Sequence, residues 1–389
     1  MIWRQALIFP DPEREWAWAE EPLVGLPVVV RVLVTLGRAG IQQVIFPKGA
    51  EKLRPCVEYW RAKKDFPQLL WDDGKLEHDP PGSPFLAVRG GVLFGPDLLH
   101  RFQEQLRGSA TGKACLPCSD SLPVLISLPL KEEGSFLWNN STFAELCSRS
   151  RGPAFIISGD IFCRSTKELI QPGNDRELLA TAGKPTDRWH VQWVRGWSFP
   201  ALRWLARAGV TPNEITWIGF VVGVTACLFI ARGTYWSGIL GAVLLYISWV
   251  LDCMDGTLAR LTFSQSHFGQ MLDTVLGHLT NLFIFSGLIW AVYGGKSLWK
   301  AGVYAFFILG GITVAYRVSR MPERVRTRKT GPPAQERLQR FLDKINHRDY
   351  AVWIFLLALV DGFKVFLWLS VVGIQVYWML SLWLRRKCS

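Results

Sequence analysis

Three aspartates at the ends of two neighbouring apolar runs constrain this chain more than any other feature. Asp252 and Asp255 lie near the end of the run 236–260, and Asp273 lies near the start of the run 270–292. Asp252 and Asp255 are three residues apart, so they share one face of a helix. Carboxylates at the end of a membrane helix are costly and usually functional. Three converging carboxylates predict a site for a hard cation such as Mg²⁺, Mn²⁺ or Ca²⁺.

Six apolar runs in the second half of the chain predict a polytopic, all-α membrane domain with six transmembrane helices. The first four are long enough to cross a bilayer. The last two are shorter, and Asp361-Gly-Phe-Lys364 separates them, which we interpret as a turn between two helices or as part of one re-entrant hairpin. The predicted spans are 214–232, 236–260, 270–292, 299–319, 349–363 and 366–384.

The positive charge of the chain belongs to this apolar half. Residues 181–389 hold 23 Lys and Arg against 10 Asp and Glu, whereas residues 1–180 hold 21 against 22. This favours contact with anionic lipid and phosphate rather than with nucleic acid. Basic residues concentrate in 317–348 and 385–387, so the positive-inside rule places both termini and the aspartate cluster in the cytoplasm. We therefore expect a multi-pass protein of the inner or plasma membrane.

Residues 1–180 predict a soluble α/β domain, and residues 1–30 lack the layout of a signal peptide. Short apolar runs predict strands, and helical spacing over 27–39 and 98–106 predicts two helices. Because strands and helices alternate, we expect a parallel sheet. The predicted strands are 6–10, 41–46, 85–88, 92–94, 123–130 and 154–158.

A junction and an amphipathic segment, residues 181–210, separate this domain from the membrane domain 211–389. Tryptophans alternate with arginines over 188–208, which is the composition of a helix lying in the membrane interface. Pro200 is expected to kink this helix or to divide it.

The aspartates belong to a longer pattern, D-x-x-D-G-x-x-A-R, eight residues, G-x-x-x-D. It resembles the signature of the CDP-alcohol phosphotransferase family of phospholipid synthesis. The resemblance implies transfer of a phosphatidyl or other substituted phosphate group from a CDP-linked lipid or CDP-polyol to an alcohol or polyol phosphate, with release of CMP. It also implies Mg²⁺ or Mn²⁺ on Asp252, Asp255 and Asp273. The donor side would be contributed by Gly256, Ala259, Arg260 and Gly269, and by the T-P-N-x-x-T residues Thr211, Pro212, Asn213 and Thr216.

One carboxylate of the family pattern is missing. The family has a fourth Asp, assigned to the second metal and to activation of the acceptor, where this chain has Gly277. His278 is the candidate base, although one helical step rotates it by roughly 100° from residue 277. His267 is the other candidate, and either histidine is equally consistent with a plain interfacial residue. Arg348 is a candidate phosphate ligand or a positive-inside anchor.

The first domain resembles sugar nucleotidyltransferases over residues 22–41, and the whole layout resembles bifunctional inositol-phosphate cytidylyltransferase/di-inositol-phosphate-phosphate synthases. The Gly-rich phosphate loop of that fold is replaced by residues 10–16, which lack glycine and carry three acidic side chains. Backbone N–H groups therefore cannot easily wrap a triphosphate. The metal-binding Asp of that fold corresponds to Gly90 or Gly91. We interpret the domain as nucleotidyltransferase-like but inactive, with an active transferase or an unrelated α/β domain as alternatives.

Three functions remain open from the sequence. The first is a CDP-alcohol phosphotransferase with an altered base, in which case the resemblance allows a homodimer. The second is a catalytically impaired protein that keeps metal and nucleotide binding and acts as a partner or regulatory subunit. The third is an unrelated membrane transporter or scaffold.

Overall fold

The computed structural model describes residues 3–11, 13–71, 85–106, 112–115, 124–128, 143, 148, 154–156, 163–165, 178–179, 189–320 and 350–387. The chain divides into two compact units. The first comprises Met1–Gly209 together with Thr257–Ser264, and the second comprises Val210–Gly256 together with Gln265–Ser389. Arg348 lies outside the described residues, so its predicted role stays a prediction.

The first unit is built on a mixed sheet. Its strands are β1 (Gln5–Ile8), β4 (Gln43–Phe46), β5 (Gln68–Trp71), β6 (Phe85–Val88), β8 (Gly112–Cys115), β9 (Leu125–Leu128) and β10 (Ala154–Ile156), in the order β10-β8-β9-β6-β1-β4-β5. The remaining strands are β2 (Pro22–Leu23), β3 (Leu26–Pro27), β7 (Val92–Phe94) and β11 (Cys163–Ser165). The helices are α1 (Val28–Arg38), α2 (Arg54–Arg61), α3 (Pro96–Gln105) and α4 (Trp189–Arg207), with a short 3₁₀ turn at Glu51–Leu53.

The expectation of a purely parallel sheet is wrong at one strand. The strands β6, β1, β4 and β5 run parallel, but β9 pairs antiparallel with both β6 and β8. An apolar run such as 125–128 indicates a buried strand without giving its direction, because direction depends on the connection. Helix α1 covers the sheet and is buried from Val28 to Leu36, as its almost continuous apolar sequence requires.

The turn that replaces the phosphate loop closes on itself. The Asp11 carboxylate accepts hydrogen bonds from the backbone N–H groups of Glu13 and Arg14, and Asp11 and Glu15 pair through their backbones. Gly91 has φ +73°, and a Cβ built on it would overlap the Asp11 carboxylate. A Cβ on Gly90 would overlap the carbonyl oxygen of Phe9. The two positions expected to carry the nucleotidyltransferase aspartate therefore have no room for a side chain.

The second unit is helical. It contains α5 (Pro212–Ala231), most of α6 (Tyr235–Leu261), α7 (His267–Ile289) continued by a π-helical turn at Trp290–Gly294, α8 (Leu298–Arg320), α9 (Tyr350–Ala358) and α10 (Phe363–Lys387). Of the helices described, five are long and apolar enough to cross a membrane, namely α5, α6, α7 with its π turn, α8 and α10. The chain is therefore an integral membrane protein.

The fifth predicted span differs from the other five. Its described part, α9, has nine residues, which give a rise of about 14 Å, less than half of a bilayer's hydrocarbon core. The presence of six membrane-spanning helices therefore remains a prediction. The predicted turn after α9 is present: Asp361 has φ +53°, and α10 begins at Phe363.

Small residues bring α5 and α7 together. A Cβ on Gly223 would lie 2.8 Å from Cγ2 of Thr280, and a Cβ on Gly287 would lie 2.9 Å from the carbonyl oxygen of Cys227. Close backbone approach at small residues is the usual way in which membrane helices pack. This contact sets the distance between α5 and the helix that carries Asp273.

Helix α4 runs unbroken through Pro200, which excludes a division of the helix, while the expected kink stays a prediction. Val194, Arg195, Ser198, Phe199 and Leu202 are buried on one face. On the opposite face, the side chains of Trp193, Trp197 and Trp204 are exposed.

We predict that Gly91→Ala lowers the melting temperature of the full chain by several degrees, whereas Gly196→Ala does not. At Gly91 the new methyl group meets the Asp11 carboxylate on a left-handed backbone, a strain on the order of 1–3 kcal/mol. At Gly196, in α4, the space is open, and alanine favours a helix. Thermal unfolding of both purified variants in detergent measures the difference, and equal melting temperatures would contradict the geometry of this turn.

Candidate active site

The three predicted aspartates line one cavity in the second unit. Asp252 and Asp255 reach it from α6 and Asp273 reaches it from α7. The space between the helices has a volume of about 250 Å³, which includes open solvent at its mouth. Its other lining residues come from α5, α6 and α7 and are Thr216, Gly219, Phe220, Ser248, Leu276, Gly277 and Thr280. The helical spacing of Asp252 and Asp255 thus has the expected result, since both carboxylates face the same space.

A hydrogen bond from α5 fixes the most buried of these carboxylates. Asp255 is 6% exposed. The Thr216 hydroxyl donates to its Oδ2 atom at 2.6 Å, and also lies 3.1 Å from the carbonyl oxygen of Pro212. A short hydrogen bond to a charged acceptor is stronger than one between neutral groups. The Thr216 side chain, predicted to lie on the donor side, therefore orients a candidate metal ligand.

The donor set suits a hard divalent cation. The charges of Asp252 and Asp273 both act on the Asp255 carboxylate, and like charges in an apolar surrounding repel strongly. A bound cation would remove this repulsion. Among the described residues, no three His, Cys, Asp or Glu side chains are close enough to form a preassembled metal site. The residues fit Mg²⁺ or Mn²⁺ by their chemistry, since carboxylate oxygens are the ligands that these ions prefer.

Gly277 lines the cavity one helical turn after Asp273. The missing fourth carboxylate would therefore have pointed into the same space as the other three. His278 does not line this cavity. Its ring stacks on that of Tyr316 in α8, with 4.3 Å between the ring centroids. His267 is exposed at the first residue of α7. The geometry thus gives neither histidine the position of the missing carboxylate.

The residues predicted to lie on the donor side are brought together only in part. Thr211 caps α5 in a capping box with Glu214, so its hydroxyl accepts from a backbone N–H group. A Cβ on Gly269 would lie 2.9 Å from Oδ1 of Asn213, so glycine lets the Asn213 side chain approach α7. Gly256 follows Asp255 in α6, whereas Ala259 and Arg260 lie in the part of α6 that belongs to the first unit.

Two hydroxyl groups of the cavity were not among the predicted residues. The Ser248 hydroxyl donates to the carbonyl oxygen of Gly219 at 2.7 Å, and the Thr280 hydroxyl donates to that of Leu276 at 2.9 Å. Ser248 precedes Asp252 by four residues, and Thr280 follows Asp273 by seven. Both spacings keep a side chain on the same helix face, so the sequence held a signal that could have found them.

The comparison with protein families identifies this part of the chain. A family model described as CDP-alcohol phosphatidyltransferase matches residues 209–383. Residues 209–383 are a CDP-alcohol phosphatidyltransferase domain. The matched range includes every residue that lines the cavity. The match therefore excludes an unrelated transporter or scaffold fold for this part of the chain.

Individual relatives agree with this assignment. Archaetidylinositol phosphate synthase of Pyrococcus horikoshii is 34% identical over 113 residues, which are 29% of this chain and 55% of that protein. The bifunctional IPC transferase and DIPP synthase of Aquifex aeolicus is 33% identical over 111 residues, 28% of this chain and 24% of that protein. The match thus spans about half of the first relative and a quarter of the second.

A solved structure also resembles the chain. It is the phosphatidylinositol phosphate synthase of Mycobacterium tuberculosis in complex with manganese and citrate. The sequence identity is 21% and the TM-score is 0.34, and the match covers 48% of this chain and 87% of that one.

We predict that Thr216→Val weakens Mn²⁺ binding roughly tenfold, because a hydrogen bond to a charged group contributes about 1.5–3 kcal/mol and its loss frees the Asp255 carboxylate. Thr225→Val is the matched control. Thr225 lies on the same helix, but its exposed hydroxyl donates only to the carbonyl oxygen of Val221 in its own helix. Titration of the purified protein with Mn²⁺, followed by electron paramagnetic resonance of the free ion, measures both affinities. Equal affinities in the two variants would show that Thr216 does not orient a metal ligand.

Proposed function

We propose that this protein transfers a substituted phosphate group, of the phosphatidyl type, from a CDP-linked donor to an alcohol or polyol phosphate and releases CMP. The observation that carries the proposal is the set of three carboxylates around one cavity, inside a CDP-alcohol phosphatidyltransferase domain. The names of the relatives, which are inositol phosphate lipid synthases, favour a polyol phosphate as acceptor.

The residues have distinct parts in this reaction. Asp252, Asp255 and Asp273 would hold Mg²⁺ or Mn²⁺, and the bound ion would neutralise the phosphate charge that develops in the displacement. Thr216 fixes Asp255 through its hydrogen bond. On the predicted donor side, the Asn213 side chain lies against α7 at Gly269. The acceptor oxygen forms a bond to the distal phosphorus of the donor, and the bond from that phosphorus to the oxygen of CMP breaks.

A base must remove the hydroxyl proton of the acceptor as the acceptor oxygen bonds to phosphorus. Gly277 provides none, and the His278 ring packs on Tyr316 outside the cavity. Asp273 is the carboxylate nearest to the gap along α7, four residues before it and therefore on the same face. We infer that the proton leaves through Asp273 or through water that fills the space at Gly277, so turnover is slower than with four carboxylates.

The alternative function is a binding protein that keeps the metal and nucleotide pocket without turnover, acting as a partner or regulatory subunit. The absence of a carboxylate at Gly277 favours it. Both functions keep the set of Asp252, Asp255, Asp273 and Thr216, because both bind the metal, so the release of CMP is what distinguishes them.

We further propose that the first unit has a nucleotidyltransferase-like fold but no longer transfers nucleotides. The Asp11 carboxylate and the Phe9 carbonyl oxygen fill the space beside Gly90 and Gly91 in which a metal-binding aspartate would stand. The backbone N–H groups of Glu13 and Arg14 are already paired with Asp11. The CDP-linked donor is therefore supplied by another protein.

The placement in the membrane is also a proposal. The exposed tryptophans of α4 fit a helix in the interface, where an indole ring places its apolar body in lipid and its N–H group near water. The basic segments of the sequence favour six spans, with the aspartates and both termini on the cytoplasmic side. A homodimer is compatible with the family resemblance.

We predict that the purified protein releases CMP from a CDP-diacylglycerol donor in the presence of Mn²⁺ and a panel of alcohols and polyol phosphates. Asp255→Asn should lower this release by about 100- to 1,000-fold, the magnitude typical of losing a group that stabilises transition-state charge. Asp361→Asn, in the turn before α10, is the control and should leave the rate unchanged. Donor binding without CMP release across the whole panel would favour the binding-protein function instead.

Gly277→Asp tests whether the missing carboxylate limits turnover. We predict that it raises the rate of CMP release about tenfold or more, since a positioned base contributes about 10²–10⁴-fold where it is fully effective. Gly277→Ala is the matched variant, because it fills part of the same space without a carboxylate. If both substitutions lower the rate equally, the open space at Gly277 is itself needed for the substrate.

A further inference from the structure

The end of α6 is held by the first unit of the chain. Residues 257–264, which directly follow the turn with Asp252 and Asp255, belong to that unit. Leu261 is 1% exposed and is part of the same hydrophobic core as α1, and Phe263 packs against that core. The core of the first unit is thus completed by a segment from the other half of the sequence.

Two cationic side chains of the first unit bind the carbonyl groups that a helix end leaves free. Arg31, on α1, donates through Nη1 to the carbonyl oxygen of Leu261 at 2.7 Å, and through Nε and Nη2 to that of Leu23. Lys64 donates to the carbonyl oxygen of Thr262 at 2.7 Å. The last carbonyl groups of a helix lack intrahelical partners and carry partial negative charge, so cations stabilise them.

The charge of Arg31 is retained in this place although the side chain is only 4% exposed. Burial lowers the pKa of Arg31 to about 9, which still leaves it a cation at pH 7. Burial, and then the charges of Arg38 and Arg31, lower the pKa of Lys64 as well. Several cations therefore converge on one helix end at a cost in desolvation, which the carbonyl groups of Leu23, Leu261 and Thr262 offset.

The residue after this helix end supports the same contact. Phe263 has φ +50°, where an L-residue costs about 1–2 kcal/mol and glycine is normal. The Phe263 ring lies below the guanidinium groups of Arg38 and Arg31, at 4.8 and 5.7 Å from its centroid. The strained backbone is thus accompanied by two cation–π contacts that only an aromatic side chain provides. A further contact joins Nε of Arg195, in α4, to the hydroxyl of Thr257 at 3.0 Å.

We propose that the first unit acts as a clamp on the end of α6, and that Arg31 and Lys64 are positioning residues for the turn that carries Asp252 and Asp255. Contacts at Thr257, Leu261, Thr262 and Phe263 hold this helix end, so it does not fray and the turn before it keeps its register. This gives the first unit a purpose that needs no nucleotide transfer. The contact itself is independent of the proposed reaction, and only its consequence for metal binding rests on the proposed function.

Hydrogen–deuterium exchange of the full chain in detergent tests the clamp. Lys64→Met should speed exchange of the amides of residues 252–264 roughly tenfold, because a hydrogen bond from a charged donor is lost at the helix end. Lys63→Met is the matched control, since the neighbouring Lys63 is exposed and contacts Tyr59 rather than α6. Phe263→Gly relieves the backbone but removes the ring, so faster exchange in this variant shows that the ring holds the segment. If the Arg31→Met variant folds, it should show the largest increase in the exchange rates of residues 252–264.

A second measurement separates the clamp from the proposed function. Lys64→Met should weaken Mn²⁺ binding several-fold, and Lys63→Met should not. Equal exchange rates for Lys64→Met and Lys63→Met would overturn the clamp. Faster exchange confined to residues 262–264 would overturn the positioning of the aspartates. If the unaltered protein binds no Mn²⁺, the proposed function fails, whereas the exchange rates of residues 252–264 still decide the clamp.

Discussion

The central physical constraint is the presence of three carboxylates in a bundle of apolar helices. Asp255 is buried, and the carboxylates of Asp252 and Asp273 line the same cavity; a buried charge is costly unless it is paired or hydrogen-bonded. A fold keeps such a group only if something compensates, and the Thr216 hydroxyl at 2.6 Å compensates in part. The close packing of α5 on α7 at Gly223 and Gly287 brings Thr216 and Asp273 to the same space beside α6.

The sequence predicted that the three aspartates share one space, and it predicted the first unit less well, for different physical reasons. Carboxylates at helical spacing within apolar runs are rare, so Asp252, Asp255 and Asp273 were identified without knowledge of the fold. The strands Phe85–Val88 and Val92–Phe94 have the predicted bounds. The antiparallel direction of Leu125–Leu128 was missed because an apolar run looks the same in either direction.

Other features could not be predicted because they depend on contacts between distant residues. Arg31 and Leu261 are 230 positions apart. In the sequence, Arg31 looks like an interruption of an apolar helix, and Phe263 like an ordinary loop residue. Their roles appear only when the hydrogen bond and the ring contact are seen. The position of His278 depends in the same way on a distant residue, Tyr316. The two rings stack on the side of α7 that faces away from the cavity.

The two halves of the chain have each lost an acidic side chain of the families they resemble, but the losses differ physically. At Gly277 the space of the missing side chain remains part of a cavity lined by carboxylates and hydroxyl groups, so water or a substrate group can occupy it. At Gly90 and Gly91 the space is filled by the Asp11 carboxylate and the Phe9 carbonyl oxygen. An open polar space preserves the capacity to bind a ligand, whereas a filled one removes it. The cavity of the second unit therefore has space for a ligand beside Gly277, whereas the first unit has no space for a side chain at Gly90 or Gly91.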